Sequence, residues 1–357
     1  MTVSRLGLVV HGGRAEAVEA ARAVRAWCEE HGVRCADIDV WAEGRRRSAQ
    51  EEVDAAGDPD LIVTLGGDGT FLRGARLAAE HDALVLGVDL GRVGFLTEVS
   101  AATVRSALDA VREDRFGIDS RMLLTLRASC RLRVPASMEA LMQYGRGPLL
   151  PSPQVVPDCQ VDDEWGIPLK VVALNDVVLE KLSRDRQVSV GVYVAGRLLA
   201  SYSADALLVA TPTGSTAYSF AAGGPVVSPR ADALVFTPVA PHMAFNRSVV
   251  TAPDEPVGLR VLEGSGQAAV SIDGQVRGVL NPGDWIGVYA APHRLRAVRL
   301  GPMDFYGRLR ERMRLTDAPA AVADGTPAPL WSVTTPPPGD LAHLTLLTVP
   351  GEQPPTG

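Results

Sequence analysis

The stretch Thr64-Leu65-Gly66-Gly67-Asp68-Gly69-Thr70 decides how the first third of the chain is read. The apolar run Leu61-Ile62-Val63 leads into it, and a helical pattern over residues 71–80 leads out. This order predicts a buried strand that ends in a glycine-rich turn and opens a helix. Gly66, Gly67 and Gly69 remove three Cβ atoms, so the backbone is free to take positive φ and to approach a ligand closely. The helix that follows would aim free N–H groups and its positive dipole end at the same place, which suits phosphate. Into this anion-binding turn the chain sets a carboxylate, Asp68. A fixed negative charge there is costly unless a metal or a proton needs it. Asp68 therefore reads as a general base or a magnesium-linked group beside a nucleotide phosphate; in a plain strand-to-helix turn it would be the helix cap. The turn has neither the Gly-Lys-Ser/Thr of a Walker loop nor the Gly-x-Gly-x-x-Gly dinucleotide spacing.

Outward from this turn, strand-like and helical patterns alternate. Strands are expected at residues 6–10, 33–40, 61–65 and 84–88, with helices over 15–30, 71–80 and 103–111. That alternation predicts a parallel sheet with its ligand at the carboxyl ends of the strands. His11 and Arg14 fall at the end of the first strand, with Arg14 as a phosphate contact and His11 in a solvated loop. Beyond Arg121 the pattern becomes strand-like with turn residues between the runs, which predicts an all-β second unit. Residues 135–168 are rich in Pro, Gly and polar side chains and read as a long insertion loop. A closing helix is expected over 305–313, within a segment 301–316 that packs on the α/β unit. Residues 317–357 read as a flexible tail rich in Pro, Ala, Thr and Gly. The expected organisation is thus an α/β domain over 1–121 and a β-rich domain over 122–300, followed by the helix and the tail.

Composition sets outer limits. The chain has 357 residues, enough for two cores, with 46% hydrophobic and 22% charged residues. No uncharged apolar run is long enough to span a bilayer, and no secretory signal precedes the first strand. Cys28, Cys35, Cys130 and Cys159 form no Cys-x-x-Cys pair and read as free thiols of a reducing cytoplasm. A net charge of −7 argues against non-specific nucleic-acid binding. A nucleotide enzyme on such a body must build a local basic site.

Two segments of the β-rich half carry further chemistry. Asn175-Asp176 stands at a strand start, where an amide can read a base edge and a carboxylate can accept from ribose hydroxyls; the alternative is a polar strand end. Farther on, the apolar run Leu207-Leu208-Val209-Ala210 ends in Thr211-Pro212-Thr213-Gly214-Ser215-Thr216-Ala217-Tyr218, followed by Gly223-Gly224-Pro225. Its hydroxyls and backbone N–H groups suit phosphate or sugar without net positive charge; the alternative is a turn with Ser/Thr caps. Tyr218 is placed to stack on a base or sugar.

Taken together, the Gly-Gly-Asp-Gly-Thr turn, Asn175-Asp176 and the 211–225 segment resemble the ATP–NAD kinase family. Gly91-Arg92-Val93-Gly94-Phe95-Leu96, Asp273-Gly274-Gln275 and Pro282-Gly283-Asp284 add to the resemblance, which runs from about residue 6 to 313. The 211–225 segment is the specific part; lipid kinases and phosphofructokinases share the glycine turn without it. The resemblance implies a Rossmann-like parallel α/β domain and a β-sandwich-like domain with the active site between them. It implies transfer of the γ-phosphoryl of ATP, or of polyphosphate, to the 2′-hydroxyl of the adenosine ribose of NAD, with a divalent cation such as magnesium held by no identified protein side chain. Asp68 is then the proton acceptor. Gly66, Gly67, Gly69 and Thr70 form the turn, and Arg73 lies near the dinucleotide phosphates. Asn175 and Asp176 hold the adenine and ribose side, and Arg186, Ser203 and Asp205 are further contacts. Thr213, Gly214, Ser215, Thr216, Ala217, Tyr218, Ser219, Phe220 and Ala221 line the bound NAD, and Gln275 closes the site. A cytoplasmic homo-oligomer, dimer or tetramer, with no nucleic-acid or membrane partner, completes the expectation. The chain departs from the family pattern at Asp89, where Asn is common, and at Asp205, flanked by Ala204 and Ala206 where Gly commonly follows. The 135–168 segment and the tail depart as well. The competing readings are a lipid or sugar kinase with the same turn, and a non-catalytic NAD-binding regulator.

Overall fold

A computed structural model describes residues 3–11, 14–38, 40, 51, 53–54, 56–91, 94–136, 138, 150–157, 164–183, 185–301, 304–315 and 337–343. Strands β1 (Arg5–Val10), β2 (Arg34–Asp37), β3 (Leu61–Leu65) and β4 (Leu84–Asp89) form a parallel sheet. All residues of β3 and β4 are buried. Both faces are covered, so the strands read as continuous apolar runs rather than alternating ones. Helices α1 (Ala15–His31) and α3 (Val104–Arg112) cover one face through Val24, Trp27, Leu108 and Val111. Helix α2 (Asp68–Glu80) covers the other through Phe71, Ala75 and Leu77. Helix α1 ends at Gly32 in the left-handed region, φ 67°, a conformation a Cβ would strain.

The chain moves from β1 to β2 on one side and from β3 to β4 on the other. The sheet order therefore reverses between β1 and β3, where open α/β sheets bind ligands at their carboxyl ends. His11 follows β1 and the glycine turn follows β3 at this crevice.

The second unit is a sandwich of two antiparallel sheets. One has the order β15 (Val249–Thr251), β14 (Leu234–Val239), β13 (Ala206–Ala210), β10 (Asp176–Lys181), β17 (Ala268–Ile272), β18 (Gln275–Leu280), and the other the order β12 (Arg197–Ala204), β11 (Val188–Val194), β16 (Val257–Val261), β19 (Trp285–Ala290), β7 (Leu124–Ala128), β9 (Ile167–Ala173), β8 (Gln154–Val155). The strands that position the site are β10 (Asp176–Lys181), β12 (Arg197–Ala204), β13 (Ala206–Ala210), β17 (Ala268–Ile272) and β18 (Gln275–Leu280). Alternate residues, such as Val177 and Leu179 on β10 and Leu207 and Val209 on β13, face the shared core with Leu126, Val190, Tyr202, Phe236 and Ile286.

One strand departs from the expectation. Leu295–Arg299, β20, was expected within the β-rich unit. It instead enters the first sheet, parallel to β4 and antiparallel to β6 (Gly117–Arg121). The five residues Leu295-Arg296-Ala297-Val298-Arg299 read as a strand in either sheet, so only the return path of the chain selects the partner. Helix α5 (Phe305–Arg312) follows and meets the first unit. Of the insertion loop, Gln154–Val155 forms a short strand paired with β9 (Ile167–Ala173), while residues 139–149 and 158–163 lie outside the described residues. Most of the tail and Cys159 also lie outside them. Cys28, Cys35 and Cys130 are free thiols. No described helix is long and apolar enough to cross a membrane.

Candidate active site between the two units

Asp68 opens α2, with Gly67 as N-cap. Its carboxylate is not spent on capping that helix. It accepts instead from the backbone N–H groups of Phe95, 3.2 Å, and Leu96, 3.1 Å, in the loop after β4. Two donors from one loop fix the orientation of the carboxylate while leaving its side chain 30% exposed. A Cβ on Gly94 would fall on the Asp68 carboxylate, and a Cβ on Gly66 would fall on the Thr70 side chain. These two glycines are thus required by close approach. Asp89 stitches the same loop, accepting from Gly91 N–H at 2.6 Å and from the Thr97 hydroxyl at 3.2 Å.

Beside the turn lies a cavity of about 630 Å³. It gathers Gly67, Gly69, Thr70 and Arg73 from the α/β unit and Gln275 from the hairpin β17–β18, so the fold brings these five expected residues together. His11 and Arg14 line it too, along with Arg76 and Arg277. On an acidic chain this is a concentration of positive charge at a helix N-terminus, the environment a polyphosphate needs. Arg277 is 6% exposed and donates to the Pro151 carbonyl at 3.0 Å. Burial, with Arg76 alongside, pushes its pKa down to about 10. Glu80 is pushed up by its own burial, against the pull of Arg76 and Lys170.

Asn175 and Asp176 do not line this cavity themselves; they stand directly behind Asp273, which does. Asp273, in the two-residue turn of the hairpin at φ 47°, accepts from the backbone N–H groups of Leu174, 2.9 Å, Asn175, 2.7 Å, and Asp176, 3.1 Å. This clamp holds the Asn-Asp pair at the strand start. Asp273 stands out in the sequence only as part of the Asp273-Gly274-Gln275 match, with no role; the local signal for its place is the Asp-Gly dipeptide between two apolar runs, the mark of a hairpin turn with φ positive at both residues. Asp176 is 4% exposed. Burial, reinforced by the nearby Asp273 charge, pushes its carboxyl up to about 7.

The 211–216 loop differs from its expected role as a donor array. The Thr211 hydroxyl donates to the Leu174 carbonyl at 2.5 Å, Ser215 to the Pro212 carbonyl at 2.7 Å and Thr216 to the Thr213 carbonyl at 3.2 Å. The Thr213 hydroxyl accepts from Arg121 at 3.1 Å. These side chains build a rigid loop that keeps Asn175 in place, with Gly214 pressed against the Asn175 backbone so closely that a Cβ would overlap its carbonyl. Short hydroxylated side chains serve local backbone bonds as readily as ligands, which is why composition did not separate the two uses.

After the loop, the one-turn helix α4 (Tyr218–Ala221) folds back over the outer face of β10 and β13. Tyr218 and Phe220 are exposed, while the Ser219 hydroxyl is buried against that of Thr237 at 3.1 Å. Burial raises the Tyr218 phenol, with help from the carboxylates of Glu180, Asp176 and Asp205. Tyr218 therefore overlooks an acidic face running from Asp176 to Asp205. Arg186 is exposed in the loop after β10. Ser203 donates to Gln187 at 2.8 Å, and Asp205 pairs with Lys181 at 2.6 Å. Ser203 lies near the end of β12 and Asp205 just before β13, which carries Asp205 about 20 Å along the strand from Thr211. Within one chain they are not brought to the turn.

No group of three or more His, Cys, Asp or Glu among the described residues has metal-binding geometry.

The sequence profile of the ATP-NAD kinase N-terminal domain matches residues 6–116, and that of the ATP-NAD kinase C-terminal domain matches residues 174–300. The chain is 80% identical over 353 residues to NAD kinase 1 of Streptomyces coelicolor, covering 99% of this chain and 97% of that one. It is 79% identical to NAD kinase 1 of Streptomyces avermitilis, covering 99% of each. Among solved structures, yeast NADH kinase complexed with NADH is similar in fold, with a TM-score of 0.71 at 20% identity over 89% of each chain. An NAD kinase from Archaeoglobus fulgidus in complex with ATP is similar with a TM-score of 0.59 at 20% identity, over 87% of this chain and 97% of that one.

Proposed function

Because this chain belongs to the NAD kinase family, we propose that it transfers the γ-phosphoryl group of ATP to the 2′-hydroxyl of the adenosine ribose of NAD, with Asp68 taking the proton. The observation that carries the reading is Asp68 itself. It is a half-buried carboxylate oriented by two backbone donors, beside a cavity lined by Arg14, Arg73, Arg76 and Arg277. In the reaction the ribose oxygen bonds to the γ-phosphorus, the bond to the β-phosphate bridging oxygen breaks, ADP leaves, and the hydroxyl proton passes to Asp68. Little covalent work falls to the protein; positioning and charge do most of it. The cavity arginines neutralise phosphate charge, and the Asn175–Asp176 pair with Tyr218 receives the nucleoside. A divalent cation such as magnesium, carried in with the donor nucleotide and with Asp68 as the carboxylate at hand, would supply further neutralisation of phosphate charge. The same reading takes the protein as a cytoplasmic homo-oligomer, a point sedimentation would test.

The experiment is to mix protein, NAD, ATP and magnesium and to read NADP with an NADP-specific dehydrogenase, beside Asp68→Asn. General-base catalysis is worth about two to four powers of ten, so Asp68→Asn should lose about that much kcat with its fold intact. Near-normal turnover by the Asn variant would remove the base role.

A further inference from the structure

Helix α5 reaches back from the end of the chain to the glycine turn, and it does so with two arginines one turn apart. The Asp304 carboxylate accepts from Gly307 N–H at 2.7 Å and starts the helix. Phe305 is buried and meets the Phe95 ring at 6.3 Å between centroids, seating the helix on the 94–98 loop. Arg308 donates to the carbonyls of Thr97, 2.7 Å, and Gly94, 3.3 Å, and meets Glu98 at 3.4 Å. Glu98 is further tied to Arg299 at 2.7 Å. Arg308 is therefore a fastening. Residues four apart share one face of a helix, so Arg312 projects from the same side one turn on. Its guanidinium lies 4.0 Å from the Asp68 carboxylate, with its side chain 37% exposed.

We propose that Arg312 is the cation that faces the phosphoryl group in flight and that α5 delivers it together with the base. The proposal rests on the reading of Asp68 above. If Asp68 takes the proton of the attacking hydroxyl, the phosphoryl group passes within a few ångströms of Asp68. A guanidinium 4.0 Å from that carboxylate stands beside the path of that group. The planar fork of arginine donates two parallel hydrogen bonds to phosphoryl oxygens, and phosphoryl transfer needs charge stabilisation there. As a structural ion pair the contact contributes little, because it is long and open to solvent. The loop that Arg308 fastens is the loop whose Phe95 and Leu96 N–H groups hold Asp68. One attachment thus sets base and cation in register. No sequence pattern singles out this arginine, because it stands well over two hundred residues from the turn.

The test uses the full-length protein with Arg312→Met, Arg312→Lys and, in parallel, Asp68→Asn. For Arg312→Met, kcat should fall about a hundred- to a thousand-fold. KM for NAD and ATP should change little, the loss should be the same at every pH, and the melting temperature should hold. Arg312→Lys should recover part of the rate, and millimolar guanidinium added to Arg312→Met should raise it while leaving Asp68→Asn unchanged. Near-normal kcat in folded Arg312→Met, while Asp68→Asn collapses, overturns the proposal and leaves the base standing. A shift of the pH profile with full rate at its plateau also overturns it, since Arg312 would then act only by tuning Asp68. Normal turnover in Asp68→Asn overturns the base reading, and this proposal with it.

Discussion

Asp176→Asn tests whether the Asn175–Asp176 pair stores destabilising charge. In the folded protein the Asp176 carboxyl is pushed from an ordinary 3.8 up to about 7, by burial first and by Asp273 second. A raised carboxyl pKa means that the folded state holds a proton the unfolded state has released. The stability this confers is fully present below about pH 4 and is lost as pH rises through about 7. Three units at about 1.4 kcal/mol each set the total near 4 kcal/mol. About 1.6 kcal/mol of it is already gone at pH 5 and nearly all at pH 8. Asparagine keeps the shape and has no charge to bury. Urea denaturation of the nucleotide-free protein, followed by tryptophan fluorescence, should therefore find Asp176→Asn more stable than the parent at pH 8. The gap should narrow by about 2–3 kcal/mol at pH 5. A gap that does not change with pH, or an Asn variant less stable at pH 8, would refute the argument. Asp176 would then be solvated or paired, and its charge would cost nothing.

Three further outcomes follow from the geometry. Gly94→Ala puts a Cβ on the Asp68 carboxylate, and should cut kcat by about a hundred-fold or more while the melting temperature moves little; steady-state kinetics beside thermal melts decide it. Gly214→Ala puts a Cβ on the Asn175 carbonyl in a buried loop, and should cost about 2 kcal/mol or more, read as a lower denaturation midpoint with weaker NAD binding. Removing divalent cations with EDTA should abolish NADP formation and restoring magnesium should recover it, with the melting curve of the nucleotide-free protein unchanged, because no described protein cluster holds a metal.

Much of this protein was legible without coordinates, for reasons of local physics. The strand-turn-helix at residues 61–80 was readable because Leu61–Leu65 is covered on both faces and the glycines punctuate it. The alternation of runs named a parallel sheet, and the later turn-separated runs named antiparallel ones. Asp68, Asn175 and Asp176 were picked out because a carboxylate in an anion turn and an amide-acid pair at a strand start have few idle uses. What the sequence could not rank was the work of each polar group. Thr211, Ser215 and Thr216 spend their hydroxyls on neighbouring carbonyls. Ser203, in β12, and Asp205, in the turn between β12 and β13, sit at the end of β13 far from Thr211. The donors that orient Asp68 are main-chain N–H groups of Phe95 and Leu96, which every residue but proline owns and no pattern can flag. Only the tertiary structure places β20 in the first sheet, Asp273 under the Asn-Asp pair and Arg312 beside Asp68. Each of these joins segments far apart in the chain, through contacts that carry no periodicity. Propensity and patterning act over a few neighbouring residues, and a site assembled between two units is decided by packing, which acts across the whole chain.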